Sequence, residues 1–415
     1  MVDKSFITQL TSLQLECVLE KFDFDNKFIN YIKYPKNEII VNFPVELDDG
    51  SYQIFKGYRI QHNNLLGPYK GGLRYHQDVY LNECKALAFW MMIKCALQEL
   101  PLGGGKGGIK FNPRDFSSND LNKISRAFTK ALYKYIGPQK DIPAPDVGTN
   151  SQIMDWMTAE YQRINKTHIY SCFTGKSLNF NGSLGRTEAT GRGVFVCIRE
   201  WFKYKGINPS GKTYILQGFG NVGSNLALLL SQIGMVCIGV GDHTGYWKNS
   251  KGINIFKLNE YVKKYKQIAG FKNIGDQISV DDFFKLKCNV IVPAALELQI
   301  NGEVAKNIDC DLIVEGANGP TDHIADVILE SKNIDVLPDI FANSGGVMVS
   351  YFEWIQNKQD NYWTLDEINK KLESKMVGTF SKLNEIKERH LCSYRTAAYF
   401  LALKRLEYFY NIKKN

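Results

Sequence analysis

The chain has 415 residues, enough for two or three domains of roughly 150 residues each and for a sizeable buried core. Hydrophobic residues make up 44% and charged residues 23%, with 35 glycines and 12 prolines, which excludes disordered and collagen-like chains. Lysine and arginine number 51 against 43 aspartates and glutamates, and the +8 excess is spread along the chain, so nothing resembles the localised basic face or reading motif that nucleic acid requires, while affinity for small anions stays open.

In chain order, apolar spacing over 5–34 (Phe6, Leu10, Leu13, Leu15, Val18, Leu19, Phe22) predicts a helix that Pro35 interrupts. Ile39 to Leu47 and Ser51 to Gln61 are β-branched and aromatic runs around Asp48-Asp49-Gly50, the pattern of a hairpin. Helices are expected near 80–98 and 118–136, with a glycine-dense stretch at 103–108 between them. The second half changes character, with a helix near 188–204, a strand Thr213 to Leu216, a glycine turn, a helix near 221–233 and a strand Val236 to Val240. Later apolar strands, Val290-Ile291-Val292 and Leu312-Ile313-Val314, end on small residues or turns, as parallel strands buried on both faces do. This alternation predicts an α/β sheet wound with helices on both faces. From Thr364 onward the chain reads as two helices.

Nine cysteines form an odd set without a C-x-x-C or a zinc-ligand spacing, so they are expected to be reduced, mostly buried thiols, and no metal site is expected. The longest apolar run, Ala86 to Ile93, is far shorter than the roughly 20 residues a bilayer needs, and the N-terminus lacks a continuous apolar region. A cytoplasmic protein with no membrane association is the expectation.

Gly218-Phe219-Gly220-Asn221-Val222-Gly223 matches G-x-G-x-x-G, a weak pattern alone that its context strengthens. It follows a strand and opens a helix, and Asp242 lies nineteen residues beyond Gly223 at the end of the next strand, where a carboxylate accepts from a ribose 2′-hydroxyl. The first two glycines permit a tight turn and close approach of a pyrophosphate to the helix N-terminus. Immediately upstream, Gly206 to Thr213 satisfies G-x-x-x-x-G-K-T, but a helix precedes it and a strand follows, the reverse of what a triphosphate loop needs. It is a surface turn on this reading.

Lys106 sits among five glycines in Gly103-Gly104-Gly105-Lys106-Gly107-Gly108. So costly a backbone either needs its closeness or is a flexible loop. Two other lysines bear on the choice: Lys70 in Gly67-Pro68-Tyr69-Lys70-Gly71-Gly72, and Lys94 inside an otherwise apolar helix. Three lysines converging on one site would hold carboxylates and depress each other's pKa, which makes a lysine usable as a base. Asp146, between Pro145 and Val147 in DIPAPDVGTN, reads equally as a proton shuttle or as a helix cap.

With these residues on view, the chain resembles the hexameric-type glutamate dehydrogenases of the Glu/Leu/Phe/Val dehydrogenase family, and their NAD-linked bacterial and plant-like members most of all. The resemblance runs nearly end to end, through GPYKGGLRYH, KALAFWMMIKCAL, LPLGGGKGGIKFNP, DIPAPDVGTN, FTGK, GSLGRTEATGRGV, QGFGNVG, VEGANGPT, PDIFANSGGVMVSYFEW and YWT. It implies an N-terminal α/β substrate and assembly domain over 1–182, a Rossmann-like dinucleotide-binding domain over 183–385, a cleft between them, and a C-terminal helix, 386–415, returning to the first domain.

Carried over by position, it implies Lys106 as the lysine that activates water and Asp146 as the acid/base for the amino group. Lys94 would hold the α-carboxylate of glutamate, with Lys70 and Ser350 on the γ-carboxylate. Thr190 and Asn343 would lie near the nicotinamide, with Asn221 and Asn318 along the cofactor, beside Gly218, Gly220, Val222, Gly223 and Asp242. The implied reaction interconverts L-glutamate with 2-oxoglutarate and ammonium on a homohexamer. Leucine, valine and phenylalanine dehydrogenases share the lysine, the aspartate and the turn, but an apolar pocket end does not suit Lys70 and Ser350. A non-catalytic homologue would be expected to have lost some of these groups. Asp242 repels a 2′-phosphate and so favours NAD; His243, Lys248 and Lys251 nearby offset that charge, and the family's pattern does not exclude NADP.

Overall fold

A computed structural model describes residues 6–414. They form two compact units. The first takes the chain up to Arg186, then Val347–Asn369 and the stretch from Tyr399 onward; the second takes Thr187–Gly346 and Lys370–Ala398. Among the described residues no helix is long and apolar enough to cross a membrane. All nine cysteines are free thiols, and all but Cys17 and Cys310 are buried.

In the first unit the helix expected over 5–34 is two helices, Phe6–Leu19 and Asn26–Lys33, residue 5 lying outside the described residues. The break is local chemistry: the Asp25 carboxylate accepts from the Lys27 N–H at 2.8 Å and caps the second helix. Leu10, Leu15 and Val18 of the predicted apolar stripe are buried. Strands β1 (Asn37–Glu46) and β2 (Tyr52–Asn63) make the expected antiparallel hairpin, Glu46 opposite Tyr52, with Gly50 left-handed at φ +81°.

Three further strands lie in segments that the sequence pattern did not mark as strands: β3 (Tyr69–His76), β4 (Gly104–Lys110) and β5 (Asp141–Pro145). The sheet order is β1-β2-β4-β3-β5, with β4 antiparallel to β2 and parallel to β3, and β5 parallel to β3 at the edge. An edge tolerates the two prolines of β5, whose rings cannot donate to a ladder. Helices Ser118–Leu132 and Ser151–Asn165 contribute to a core in which Phe43, Phe55, Phe111 and Phe128 are buried together. Phe128 has no exposed surface and stacks on Phe43 with centroids 5.5 Å apart.

The second unit carries seven strands: β6 (Thr213–Gln217), β7 (Val236–Asp242), β8 (Gly245–Lys248), β9 (Asp276–Ile278), β10 (Val290–Pro293), β11 (Leu312–Val314) and β12 (Asp335–Leu337). Their order is β12-β11-β10-β6-β7-β8-β9, parallel from β12 to β7 and antiparallel beyond. The expected α/β sheet is therefore present, with β8 and β9 as an unforeseen antiparallel extension. Strand order reverses between β6 and β10, the switch point at which open α/β sheets bind ligands beyond their carboxyl ends. Gly206 to Thr213 joins helix Ala189–Tyr204 to β6, so the triphosphate-loop match is topologically a turn. The last two helices are Leu365–His390 and Tyr394–Lys414.

Truncating Phe128 to alanine leaves a cavity in the first unit's core, and Phe128→Ala is expected to cost about 3–5 kcal/mol. Urea unfolding of wild type and variant measures it; a cost below about 1 kcal/mol contradicts this account of the core.

Candidate active site

The glycine-rich run around Lys106 is a strand whose neighbours leave no room for a side chain at Gly104, Gly107 or Gly108. A Cβ on Gly104 would sit 2.3 Å from the Ala88 carbonyl oxygen, one on Gly108 2.1 Å from that of Arg74, and one on Gly71 1.5 Å from that of Gly105. Closeness, not flexibility, is therefore what these glycines provide. Lys106 is the one side chain projecting from β4 between Gly105 and Gly107, and it is nearly buried, at 5% exposure.

Its ammonium is ion-paired with the Asp146 carboxylate. Asp146 follows β5 directly; its N–H donates to the Thr149 hydroxyl oxygen at 2.7 Å, and that hydroxyl donates to the Leu73 carbonyl of β3 at 2.8 Å. The helix at 151–165 is capped instead by Asn150, which accepts from the Ile153 N–H at 3.1 Å. Asp146 is thus released from a capping duty and turned toward Lys106. Burial pushes its carboxyl pKa up, but Lys106 and Arg74, the latter 3.6 Å away, more than reverse this and hold it well below the usual carboxylate range.

A second group gathers around Lys70 of β3. Its ammonium is fully buried and donates to the Ile142 carbonyl of β5 at 3.1 Å. Burial, with the nearby cations of Arg186 and Arg59, pulls its pKa down from 10.5 to about 7, against the opposing pull of Glu353. Ser350, on helix Gly345–Gln359, is buried and its hydroxyl oxygen accepts from Arg186 Nε at 2.9 Å. Lys94 lies on helix Leu81–Leu97, 6% exposed, and both it and Lys70 act electrostatically on the buried thiol of Cys95.

Four charged partners of this group escaped the sequence reading. Arg186 lies in a motif noted only as a whole, and the detectable signal was a cation next to Gly185, which is left-handed at φ +70°. Glu353 is fully buried and accepts from Lys176 Nζ at 2.6 Å and from the Gly175 N–H at 2.8 Å, which explains the FTGK motif as a clasp on the helix that carries Ser350. Arg59 and Asp141 form a wholly buried ion pair; Arg59 Nη1 also donates to the Gly71 carbonyl at 3.2 Å, tying β2 to β3 and β5. Nothing in linear spacing announces that pair.

In the second unit the Gly218 turn stands at the β6–β10 switch point. Gly218 is left-handed at φ +97°, and a Cβ there would lie 2.6 Å from the Ala294 carbonyl oxygen just beyond β10. A Cβ on Gly223 would lie 1.9 Å from the Gly218 carbonyl, whereas one on Gly220 would meet nothing within 4 Å. The first and third glycines therefore serve packing, and the second leaves space over the start of helix Asn221–Gln232, whose N-cap has no side-chain bond. A pyrophosphate fits there. Asn221 donates to the Thr187 carbonyl at 2.7 Å, and Val222 packs near Thr190's helix, where a Cβ on Gly191 would be 2.7 Å from the Val222 carbonyl.

Asp242 ends β7, and its two oxygens accept from the Thr244 N–H at 2.7 Å and the Ile268 N–H at 2.8 Å. Asn343 donates to Asn318 Oδ1 at 2.9 Å and to the Ala317 carbonyl at 3.1 Å, so these two asparagines meet beyond β11 and β12.

Two family models cover the chain: one described as Glu/Leu/Phe/Val dehydrogenase, dimerisation domain, matches residues 35–163, and one described as glutamate/leucine/phenylalanine/valine dehydrogenase matches 181–411. A glutamate dehydrogenase of Thermotoga maritima is 45% identical over 388 residues, 93% of each chain. A cryptic catabolic NAD-specific glutamate dehydrogenase of Bacillus subtilis is 41% identical over 407 residues, 97% of this chain and 95% of its own. Among solved structures, the leucine-bound form of a hetero-hexameric glutamate dehydrogenase from Thermus thermophilus superposes with a TM-score of 0.95 at 29% identity, covering 100% of this chain and 98% of that one.

An ammonium whose folded pKa lies below its unfolded value binds fewer protons folded than unfolded, so its burial penalty is full below about pH 7 and fades toward pH 10.5. Lys70→Met should therefore raise the melting temperature most near pH 7 and least near pH 10. A gap between the two melting curves that does not change with pH would contradict the depressed Lys70.

Proposed function

The chain belongs to the glutamate/leucine/phenylalanine/valine dehydrogenase family, and from that premise we propose that it catalyses the reversible, NAD-dependent oxidative deamination of L-glutamate to 2-oxoglutarate and ammonium. The observation that carries the choice of glutamate is the set formed by buried Lys70 and Ser350 with the half-buried Arg186. These cations gain a partner when a γ-carboxylate arrives. A branched or aromatic side chain would leave them desolvated and unpaired, at a cost of several kcal/mol.

The division of labour follows from the same contacts. Lys94 holds the α-carboxylate. Asp146, kept ionised by Lys106 and Arg74, takes a proton from the substrate amino group so that the nitrogen lone pair can assist loss of the α-hydrogen as hydride. NAD supplies the hydride acceptor. Protonation of Asp146 breaks its ion pair with Lys106, which gives up its own proton to solvent; the neutral amine then takes a proton from the water that attacks the iminium carbon, leaving a carbinolamine and the Lys106 ammonium. Asp146 returns a proton to nitrogen as the carbinolamine collapses, and ammonia leaves.

The cofactor would be held by the Gly218, Gly220 and Gly223 turn with Asn221 and Val222 at the pyrophosphate, by Thr190, Asn318 and Asn343 toward the nicotinamide, and by Asp242 at the adenosine ribose. Asp242 Oδ1 already accepts from the Thr244 N–H and hydroxyl, so Oδ2, which accepts from the Ile268 N–H and keeps a further lone pair, would meet the ribose; the carboxylate charge disfavours a 2′-phosphate, in keeping with the NAD-specific relative. The hexameric neighbour supports a hexamer here, which we propose to be a homohexamer, acting in the cytoplasm.

The test is the initial rate of NAD reduction by the purified protein with L-glutamate, beside a parallel assay with L-leucine. Turnover with glutamate and not leucine is expected; turnover with leucine alone would move the substrate to the branched-chain side of the family, and binding of both ligands without turnover would mark a non-catalytic homologue. Lys106→Ala should fold and lose at least about a thousandfold in kcat, read from the same assay. Lys70→Leu should raise the KM for glutamate by about a hundredfold while the KM for NAD stays within about twofold; equal losses would refute the γ-carboxylate assignment.

A further inference from the structure

Arg395, in the first turn of the last helix, has a buried guanidinium surrounded by three carboxylates of the second unit. It donates to both oxygens of Glu315, Nη2 to Oε1 at 2.7 Å and Nη1 to Oε2 at 3.0 Å. Its Nη2 also donates to Asp326 Oδ1 at 3.0 Å, and its Nη1 stands 3.6 Å from Asp339 Oδ1. Burial raises the pKa of Glu315 and of Asp326 while Arg395 pulls both down, so the arrangement is an expensive one that ordinary surface chemistry does not explain.

Two of the three carboxylates begin the segments that bear the asparagine pair. Glu315 is the residue after β11, at the head of Glu315-Gly316-Ala317-Asn318-Gly319, and Asp339 lies just beyond β12, four residues before Asn343. They are also bonded to each other's segment. The Asp339 N–H donates to Glu315 Oε2 at 2.8 Å, and the Gly319 N–H donates to Asp339 Oδ2 at 2.9 Å. The stretch holding Asn318 is thus gripped at both ends, while the Asn343 N–H bonds back to the Asp339 carbonyl at 3.3 Å. Beyond this grip the segment packs on the dinucleotide turn. A Cβ on Gly316 would lie 2.9 Å from the Ala294 Cβ, and Ala294 is the residue against which Gly218 closes.

We propose that Arg395, acting through Glu315 and Asp339, is a positioning residue for the dinucleotide: its forked guanidinium holds the two strand-end segments so that Asn318 and Asn343 meet the cofactor as a fixed pair. The inference rests on the cofactor reading given above. Arginine suits the task because one planar group reaches three acceptors, which an ammonium on a flexible stem does not. Asp326, on helix His323–Ser331, bonds Arg395 but neither asparagine segment, so its part is to neutralise and anchor.

The test separates these parts in the full-length enzyme. Arg395→Lys keeps the charge and loses the fork; it should raise both the KM for NAD and the Kd for NADH, the latter followed by nucleotide fluorescence, by about tenfold, with the KM for glutamate within about twofold. Glu315→Gln, nearly the same shape, should move the same constants in the same direction and decides the matter if Arg395→Lys does not fold. Asp326→Asn should lower the melting temperature and leave both nucleotide constants unchanged. Folded Arg395→Lys or Glu315→Gln with unaltered NADH affinity would overturn the proposal, as would equal rises in the KM for NAD and for glutamate. A wild-type protein that fails to bind NADH at all would instead overturn the cofactor reading itself.

Discussion

At Gly104, Gly107 and Gly108 the backbone of β4 runs too close to neighbouring carbonyls for any side chain, and the first unit is arranged around that constraint. Carbonyl oxygens of Ala88, Arg74 and Tyr58 occupy positions that a Cβ at Gly104, Gly108 or Gly107 would need. The Gly104 contact sets helix Leu81–Leu97, which carries Lys94, directly against the sheet, and the Gly108 contact sets β4 against β3, so that Lys106 of β4 and Arg74 of β3 both reach Asp146. Glycine in a strand costs conformational entropy on folding. That cost is offset elsewhere, by the phenylalanine core on β1 and β2 and by the buried Arg59–Asp141 pair that ties β2 to the strands bearing Lys70 and Asp146.

The two units handle buried charge in opposite ways. In the first, Lys70 and Arg186 are both desolvated, and the carboxylate that opposes their shifts, Glu353, is already engaged by Lys176. Burial first, and the neighbouring cations Arg186 and Arg59 second, show as a depressed Lys70 rather than as stability. In the second unit negative charge is in surplus: Arg395 serves three carboxylates, and two of them, Glu315 and Asp339, also accept from backbone N–H groups. One arrangement is poised for a ligand, and the other fixes loop geometry.

Elements with strong periodicity or turn chemistry were legible in advance: the hairpin at Gly50, the helices near 80–98 and 188–204, the β6–helix–β7 unit and the rejected triphosphate loop. β3, β4 and β5 were not, because GPYKGG, GGKGGI and DIPAP lack β-branched alternation and instead contain the residues that normally mark turns. The single helix expected over 5–34 failed for a converse reason. The apolar spacing hid Asp25, whose side chain caps the start of a second helix six residues after the first ends at Leu19.

Motif and residue type alone therefore determined the family resemblance, the α/β class, the dinucleotide turn and the lysines and aspartate of the candidate site, because each of these is a local property of chain chemistry. Tertiary structure decided the rest: that the glycines around Lys106 serve close packing, that Asn150 and not Asp146 caps the helix at 151–165, that Arg186 and Glu353 stand beside Lys70, and that Arg395 grips segments 56 to 80 residues away in sequence. Those are facts of distance between remote residues. They arise only when strands from separate stretches are laid side by side, at which point burial strengthens the forces between charges that in the linear chain scarcely act on one another.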